Sequence, residues 1–176
     1  MIISQSVKKV LSAKTTFVLT VAFAVMCTAA TRVNNANFSG SWKLNEQKSD
    51  LGQFGGRMTP KTLKLEQKED GLSIERTSNF NGQDRTTTEK LSFDGKETEN
   101  TVFGTAKKKS TAKWSEDGQT LTVNSVVTFD RNGQTMEIKS TETWKLINDG
   151  QGLSVETKST SQMGDNTVKA VFEKSK

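Results

Sequence analysis

The stretch that decides the fold runs from residue 70 to residue 95 and reads DGLSIERTSNFNGQDRTTTEKLSFDG. It contains three turn-forming pairs, namely Asp70-Gly71, Asn81-Gly82 and Asp94-Gly95. Asp-Gly and Asn-Gly tolerate the positive φ angles that tight hairpin turns require. Between the pairs, apolar and polar residues alternate with a period of two, which is typical of a half-buried strand. The stretch therefore predicts a pair of antiparallel strands joined by a hairpin.

The same turn signal continues along the rest of the chain. Three further pairs follow, namely Asp117-Gly118, Asn132-Gly133 and Asp149-Gly150. With Gly104, a turn at 163–165 and a first strand at 38–44, they predict about ten strands of an antiparallel meander. Gly104 leaves two alternatives, a turn or a bulge within one long bent strand. We expect an all-β fold, a single antiparallel up-and-down barrel of about ten strands, or a flattened version of one.

The apolar residues of these strands fall on one face. Extending the alternation from strand to strand places the following residues inside: Leu63, Leu65, Leu72, Ile74, Leu91, Phe93, Leu121, Val123, Val127, Phe129, Met136, Ile138, Trp144, Leu146, Leu153, Val155, Val168, Ala170 and Phe172. A shift of one residue would move every one of them into water, so the pattern also fixes the register. Core or barrel-end packing is expected for eight aromatic residues: Phe38, Trp42, Phe93, Phe103, Trp114, Phe129, Trp144 and Phe172.

The first 30 residues have the pattern of a secretory signal peptide. Three lysines precede an uncharged run from Thr15 to Ala30 that ends in small residues. The run is shorter than a comfortable membrane span, which needs about 20 apolar residues. We expect cleavage after Ala29 or Ala30 and export to the periplasm, the outer envelope or the medium, with no integral membrane span in the mature form. An uncleaved anchor is the alternative, and Cys27 would be the site of a lipid anchor, although Met26 before it is not small.

The expected mature chain has a flexible leader at 31–37 and a barrel domain at 38–176. Three of the 25 Lys and Arg residues belong to the signal peptide, so the mature net charge is +2. That balance argues against a nucleic-acid partner, which needs a concentrated basic face. The run Lys107-Lys108-Lys109 is interpreted as a solvated strand edge, since edge lysines discourage aggregation.

Residue types exclude several kinds of chemistry. The chain has no histidine, and its single cysteine lies in the signal peptide. The commonest metal ligand and the commonest general base are therefore missing. No nucleophile elbow and no phosphate-binding loop occurs. We predict no metal, no cofactor and no enzymatic activity.

Three stretches, two of which overlap, resemble known families. FSGSWKL, at 38–44, resembles the first strand of the calycins, which include lipocalins and fatty-acid-binding proteins, and VKAVFEK, at 168–174, resembles the last strand of the latter. The resemblance implies that Gly40 allows close backbone approach and that Trp42 closes one barrel end. WKLNEQKSDLG, at 42–52, is similar to lipocalin-like proteins of bacterial envelopes. Fatty-acid-binding proteins, however, carry a helical lid after the first strand, and here only the glycine-containing stretch 45–59 is available.

Several positions with inward parity are polar, and they are the candidate ligand-binding residues: Arg76, Ser125, Ser140, Glu142 and Thr157. Buried polar groups need partners, or a wet or ligand-filled cavity. Arg76 would pair with Glu142, meet an acidic head group of a ligand, or lie in solvent beyond the end of the core. Phe54, in the glycine-containing loop, would act as a portal flap or hold the loop down.

Two functions follow, and packing separates them. The first is an exported, monomeric lipocalin-like carrier of a small hydrophobic ligand, for which we expect a cavity of about 300 Å³ or more near the loop at 52–56. The alternative is an envelope structural or interaction module with a filled core and no ligand. Continuous packing from Trp42 to Trp144 would favour the module.

Overall fold

Ten antiparallel strands form a single sheet in the computed structural model of the protein. The structure describes residues 33–52, 59–131, 133–162 and 164–175, with the backbone alone for Phe80 and Arg131. Each strand alternates inward and outward side chains, and short connections join consecutive strands from β2 onward. The strands are β1 Gly40–Leu44, β2 Thr62–Gln67, β3 Gly71–Phe80, β4 Gln83–Ser92, β5 Thr98–Val102, β6 Ala106–Trp114, β7 Thr120–Arg131, β8 Gln134–Ile147, β9 Gly152–Ser161 and β10 Gly164–Lys174.

Pairing between the first and last strands rolls the sheet into a barrel. The hydrogen-bonded order is β4-β3-β2-β1-β10-β9-β8-β7-β6-β5. The N-terminal strand β1 therefore pairs with the C-terminal strand β10 as well as with β2. In the β1–β10 ladder, Trp42 lies opposite Lys174 and Leu44 lies opposite Phe172. Strands β4 and β5 are the two edges, and they meet at a seam. The fold is the nearly closed all-β barrel that the turn pattern predicts.

The side chain of Asn100 bridges the seam between β4 and β5. The amide nitrogen of Asn100 donates to the carbonyl of Lys90 at 2.9 Å. The amide oxygen of Asn100 accepts from the backbone N–H of Lys90 at 2.8 Å. The N–H and the C=O of Lys90 therefore both have a hydrogen-bond partner, as they would opposite a paired strand. Asn100 therefore limits the opening of the barrel at this seam.

Aromatic side chains fill one end of the barrel, here called the closed end and formed by Phe38, Trp42, Trp114 and Trp144. The rings of Phe38 and Trp114 stack with centroids 5.4 Å apart and an interplanar angle of 8°. Phe38 also packs on Trp144 with ring centroids 6.0 Å apart. Trp42 is buried, and its indole nitrogen donates to the Phe38 carbonyl at 2.9 Å. This end of the barrel is a packed aromatic core.

The chain enters β1 through side-chain contacts rather than through the ladder. The Phe38 N–H donates to the Gln67 side chain at 3.0 Å, while the Phe38 carbonyl is used by Trp42. These bonds explain why β1 starts at Gly40 and not at Phe38 as predicted. Gly40 has a φ of +137°, a conformation that side chains rarely adopt. A glycine is therefore needed here for its backbone conformation, since the nearest atom that a side chain would meet, at 3.1 Å, belongs to the flexible end of Lys174.

The segments beside β1 are also attached to the barrel. In the predicted leader, the Ala36 N–H donates to the Gly118 carbonyl and the Ala36 carbonyl accepts from Gln67. After β1, a 3-10 helix, Glu46–Lys48, is capped by the Asn45 side chain. No described helix is long and apolar enough to cross a membrane.

The structure resolves the alternative at Gly104 and corrects one aromatic prediction. Val102 and Ala106 pair across a hairpin, so Gly104 is in a turn and not in a bulge. Phe103 precedes it with a φ of +49° and is 70% exposed. The prediction that Phe103 packs in the core is wrong, because the hairpin turns at this residue and directs it out of the strand alternation. Of the other seven aromatic residues, Phe93, Trp114 and Phe129 are half-buried and the rest are buried.

Replacing Asn100 tests the closure of the seam. Asn100→Ala removes two hydrogen bonds that satisfy the backbone of Lys90, so we expect a loss of about 1–2 kcal/mol in the free energy of unfolding. The Lys90 amide should also exchange faster with deuterium. Chemical denaturation and amide exchange measure the two effects. Thr101→Ala, at the neighbouring exposed position, is the control and should change neither the stability nor the exchange. Unchanged exchange of the Lys90 amide in Asn100→Ala would contradict the role of Asn100 at the seam.

Candidate ligand-binding site

Four charged side chains meet inside the barrel, and we call them the ion layer: Arg76, Glu89, Lys108 and Glu142. Arg76 Nη2 lies 2.9 Å from Glu142 Oε2, and Arg76 Nε lies 3.1 Å from Glu89 Oε1. Lys108 Nζ lies 2.7 Å from Glu89 Oε2 and 3.7 Å from Glu142 Oε1. Each cation thus faces both carboxylates. The layer holds two positive and two negative charges and has no net charge.

Strand alternation places these four residues on the inner face. Arg76 on β3 shares its parity with Leu72 and Ile74, and Glu89 on β4 lies two residues before the buried Leu91. Successive side chains of a strand point to opposite faces, so every second residue enters the barrel. The layer therefore brings together strands β3, β4, β6 and β8 from opposite walls.

The second half of the layer follows the same rule. Lys108 on β6 has the parity of Ser110 and Ala112, both buried. Glu142 on β8 lies two residues before the buried Trp144. Lys108 is flanked by Lys107 and Lys109, which point outward and pair with exposed glutamates.

The ion layer is desolvated. The side chains of Glu89, Lys108 and Glu142 are 4%, 9% and 9% exposed, and that of Arg76 is 15% exposed. Removing charges from water costs several kcal/mol per ion, and only close, hydrogen-bonded opposite charges offset this. All four groups are therefore held by one another rather than by solvent.

Protonation states follow from this arrangement. Burial is the largest single influence on the pKa of the Glu142 carboxyl and raises it. The charges of Arg76 and Lys108, with hydrogen bonds from Arg76 and Trp144, overcome that effect and lower the pKa to about 2. Burial lowers the pKa of Arg76, but Glu142 and Glu89 raise it above its ordinary value. Glu142 and Arg76 are therefore charged at neutral pH.

Trp144 forms the floor under the ion layer. Its indole nitrogen donates to Glu142 Oε2 at 2.9 Å. The guanidinium carbon of Arg76 lies 5.3 Å from the centroid of the Trp144 ring, a cation–π distance. Since Trp144 also packs on Phe38, it connects the packed closed end to the charged groups.

A cavity of about 270 Å³ lies on the other side of the ion layer. Its wall includes all four charged groups together with apolar side chains: Val102, Val127, Ile138, Val155, Val168, Ala170 and Phe172. Hydroxyl and amide side chains complete it: Thr59, Ser78, Thr87, Ser140, Thr157, Ser159 and Asn166. Phe103 and Pro60 also line it, and because Phe103 is 70% exposed, the cavity opens to solvent beside the β5–β6 hairpin.

The structure places the sequence-predicted residues at three different locations. Arg76 and Glu142 form an ion pair in the ion layer, one of the arrangements that the sequence left open, and Ser140 and Thr157 line the cavity. Ser125 faces inward but lies outside the cavity wall, since its hydroxyl is hydrogen-bonded to that of Ser110 at 2.8 Å.

The remaining predicted residues are not at the cavity. Gly40 and Trp42 lie at the closed end, where Trp42 is 1% exposed and the Lys174 ammonium lies 5.5 Å from its ring centroid. Phe54 is outside the described residues, so its predicted role stays a prediction.

Sequence reasoning missed Glu89 and Lys108. The interpretation of Lys107-Lys108-Lys109 as a solvated edge is wrong for Lys108, which is buried. The signal was available, because the parity that makes Leu91 and Ala112 inward also makes Glu89 and Lys108 inward. A run of three like charges concealed it, since strand alternation sends the middle residue to the opposite face.

The described residues contain no group of three His, Cys, Asp or Glu side chains able to hold a metal ion. The ion layer has only two carboxylates, and both are occupied by cationic side chains.

The comparisons with known proteins agree with the fold. No protein-family model and no curated protein matches the chain. Among solved structures, the chain is similar to zebrafish ileal bile acid-binding protein, crystallised in complex with cholic acid. The TM-score is 0.50 at 14% sequence identity, over 78% of this chain and 98% of that chain. The protein therefore shares the fold of that bile acid-binding protein.

Neutralising Glu142 tests the energetics of the ion layer. Glu142→Gln leaves Arg76 and Lys108 with one carboxylate between them, so we expect a loss of about 3–5 kcal/mol in the free energy of unfolding. Glu137→Gln is the matched control, since Glu137 is on the same strand and pairs with Lys139 in solvent. The control should cost less than about 1 kcal/mol. Equal effects of the two variants in chemical denaturation would refute a desolvated layer.

The lowered pKa of Glu142 predicts a dependence of stability on pH. An unfolded Glu142 takes up a proton near pH 4.5, while the folded carboxyl does so near pH 2. Between these values the unfolded state binds more protons, so stability should fall as the pH falls from about 4.5 to about 2. Unfolding curves over this range, for the wild type and Glu142→Gln, measure the effect. The variant should lose less stability over the range, and parallel curves would contradict the assignment.

Proposed function

We propose that the protein is an exported β-barrel carrier that binds one small hydrophobic ligand in the cavity beside the ion layer. The observation that carries this proposal is the position of the cavity. It lies inside the barrel, opens at one end, and has a wall that combines apolar side chains with a few polar groups. That composition is typical of small-molecule sites.

The size of the cavity limits the ligand. Its volume of about 270 Å³ is slightly below the range of about 300–1,000 Å³ that is typical of ligand pockets. At the roughly 30 Å³ that a water molecule occupies in the liquid, it has room for about nine non-hydrogen atoms. The ligand that fits the cavity is therefore small, and its apolar part would contact Val127, Ile138 and Val155.

The polar wall supports a ligand-filled or wet interior. The half-buried hydroxyls of Ser140 and Thr157 line the cavity, whereas that of Ser159 already donates to the Asn166 carbonyl at 3.5 Å. In a filled apolar core Ser140 and Thr157 would each need a partner or would destabilise the fold. A ligand with a hydrogen-bonding group, or water that such a ligand displaces, supplies those partners.

Fold likeness adds further support. The solved structure with the same fold holds cholic acid, a small molecule with both an apolar and a polar part. Export is proposed from the leader sequence, with its basic start and uncharged run. We propose a monomer because closure of the barrel leaves the two edge strands facing each other at the seam.

A structural module without a ligand is the second candidate. The packing of Phe38, Trp42, Trp114 and Trp144 favours it, since this half of the interior is filled. The ion layer likewise needs no ligand to satisfy its charges. Only the other half of the barrel distinguishes a carrier from a module.

Native mass spectrometry of protein purified from its own host tests the carrier directly. We expect an additional mass of a small molecule on the wild type. Val127→Phe should abolish it, because Val127 lines the cavity and a phenyl ring there would occupy the ligand volume. Val126→Phe is the matched control, since Val126 is the neighbouring residue of β7 on the opposite face. A clean apo mass under mild conditions would favour the module.

A further inference from the structure

We propose that the cavity accepts a ligand whose inner end is an uncharged hydrogen-bonding group, such as an alcohol, and discriminates against a carboxylate. The inference rests on the proposed carrier function and adds the chemical class of the ligand. It follows from the ion layer, whose charged groups are the only charged side chains that line the cavity among the described residues.

The charges of the ion layer are already balanced. A barrel that binds an acidic ligand needs a cation that is free to pair with it. Here Arg76 and Lys108 are already opposed by Glu142 and Glu89, at distances from 2.7 to 3.7 Å. The site has no unmatched positive charge to offer an anion.

The carboxylates of the ion layer would also repel a ligand carboxylate. A ligand carboxylate that reached Arg76 would lie beside Glu89 and Glu142, which are both within 3.1 Å of that side chain. The layer would then hold three negative and two positive charges. At an effective dielectric constant of about 20, two like charges 4 Å apart repel by about 4 kcal/mol. One of the three carboxylates would therefore have to take up a proton, or the ligand would bind weakly.

The cavity wall can also form hydrogen bonds with an uncharged polar group of a ligand. A guanidinium has five N–H donors, and Arg76 directs two of its nitrogens at Glu142 and Glu89, which leaves further N–H groups for a ligand. The Arg76 side chain is the most exposed of the four, at 15%. The hydroxyls of Ser140 and Thr157 line the same cavity and form no side-chain hydrogen bond with any described residue. A ligand hydroxyl can accept from the guanidinium and exchange hydrogen bonds with these residues while every ion pair stays intact.

Octan-1-ol and octanoate are a matched pair of probes. Each has eight carbons, and they differ in size by a single oxygen atom, so both are close to the size that the cavity of about 270 Å³ admits. Octanoate is ionised at neutral pH, so the two differ in charge at the inner end. Isothermal calorimetry at neutral pH should show octanol bound at least tenfold more tightly to the wild type. Glu142→Gln, which leaves the layer with one unmatched positive charge, should shift the preference towards octanoate by tenfold or more.

Each outcome decides a different claim. Glu137→Gln, with its exposed carboxylate on the same strand, should keep the preference of the wild type. Octanoate binding as tightly as octanol to the wild type would overturn the head-group inference and leave the carrier function in place. Binding of neither probe would contradict the carrier function and the inference with it. If Glu142→Gln does not fold, the comparison of the two probes on the wild type still decides the inference.

Discussion

The ion layer is the constraint on which the rest of the structure depends. Two cations and two carboxylates lie away from water at the middle of the barrel, with a tryptophan on one side and a cavity on the other. Buried ion pairs are stable only when their geometry is close and every charge is matched. The strands must therefore keep the four side chains within hydrogen-bond distance, and this requirement limits how the barrel can deform.

The layer also connects parts of the sheet that the ladder does not. Arg76 on β3 pairs with Glu142 on β8, and Lys108 on β6 pairs with Glu89 on β4. Strands β4 and β5 are the edges of the hydrogen-bonded order, so the Lys108–Glu89 pair spans the seam from inside. Asn100 spans it through the backbone of Lys90. Side chains thus close the barrel at the seam between β4 and β5, where the strands are not paired through their backbones.

The sequence predicts the fold better than it predicts the site. Asp-Gly and Asn-Gly turns and the period-two alternation fix ten strands and their inward faces, because both signals are local. The same alternation finds Arg76 and Glu142 and, applied to β4 and β6, would also find Glu89 and Lys108.

The rest depends on distances that a sequence does not contain. Alternation along a strand shows whether a side chain points into the barrel. It does not show how far along the barrel axis the side chain lies or which side chain of the opposite wall it contacts. Ser125 has the right parity and is nevertheless satisfied by Ser110 outside the cavity. Phe103 lies at the tip of a hairpin, where alternation no longer applies.

A crystal structure of the protein purified from its own host would show the ion layer and the cavity together. We expect four ion-layer side chains in mutual contact, the aromatic closed end packed on one side of them, and electron density for a small molecule in the cavity on the other. The polar end of that molecule should lie against Arg76 with both carboxylates still paired. A cavity filled by side chains, or an ion layer opened to bulk water, would contradict the account.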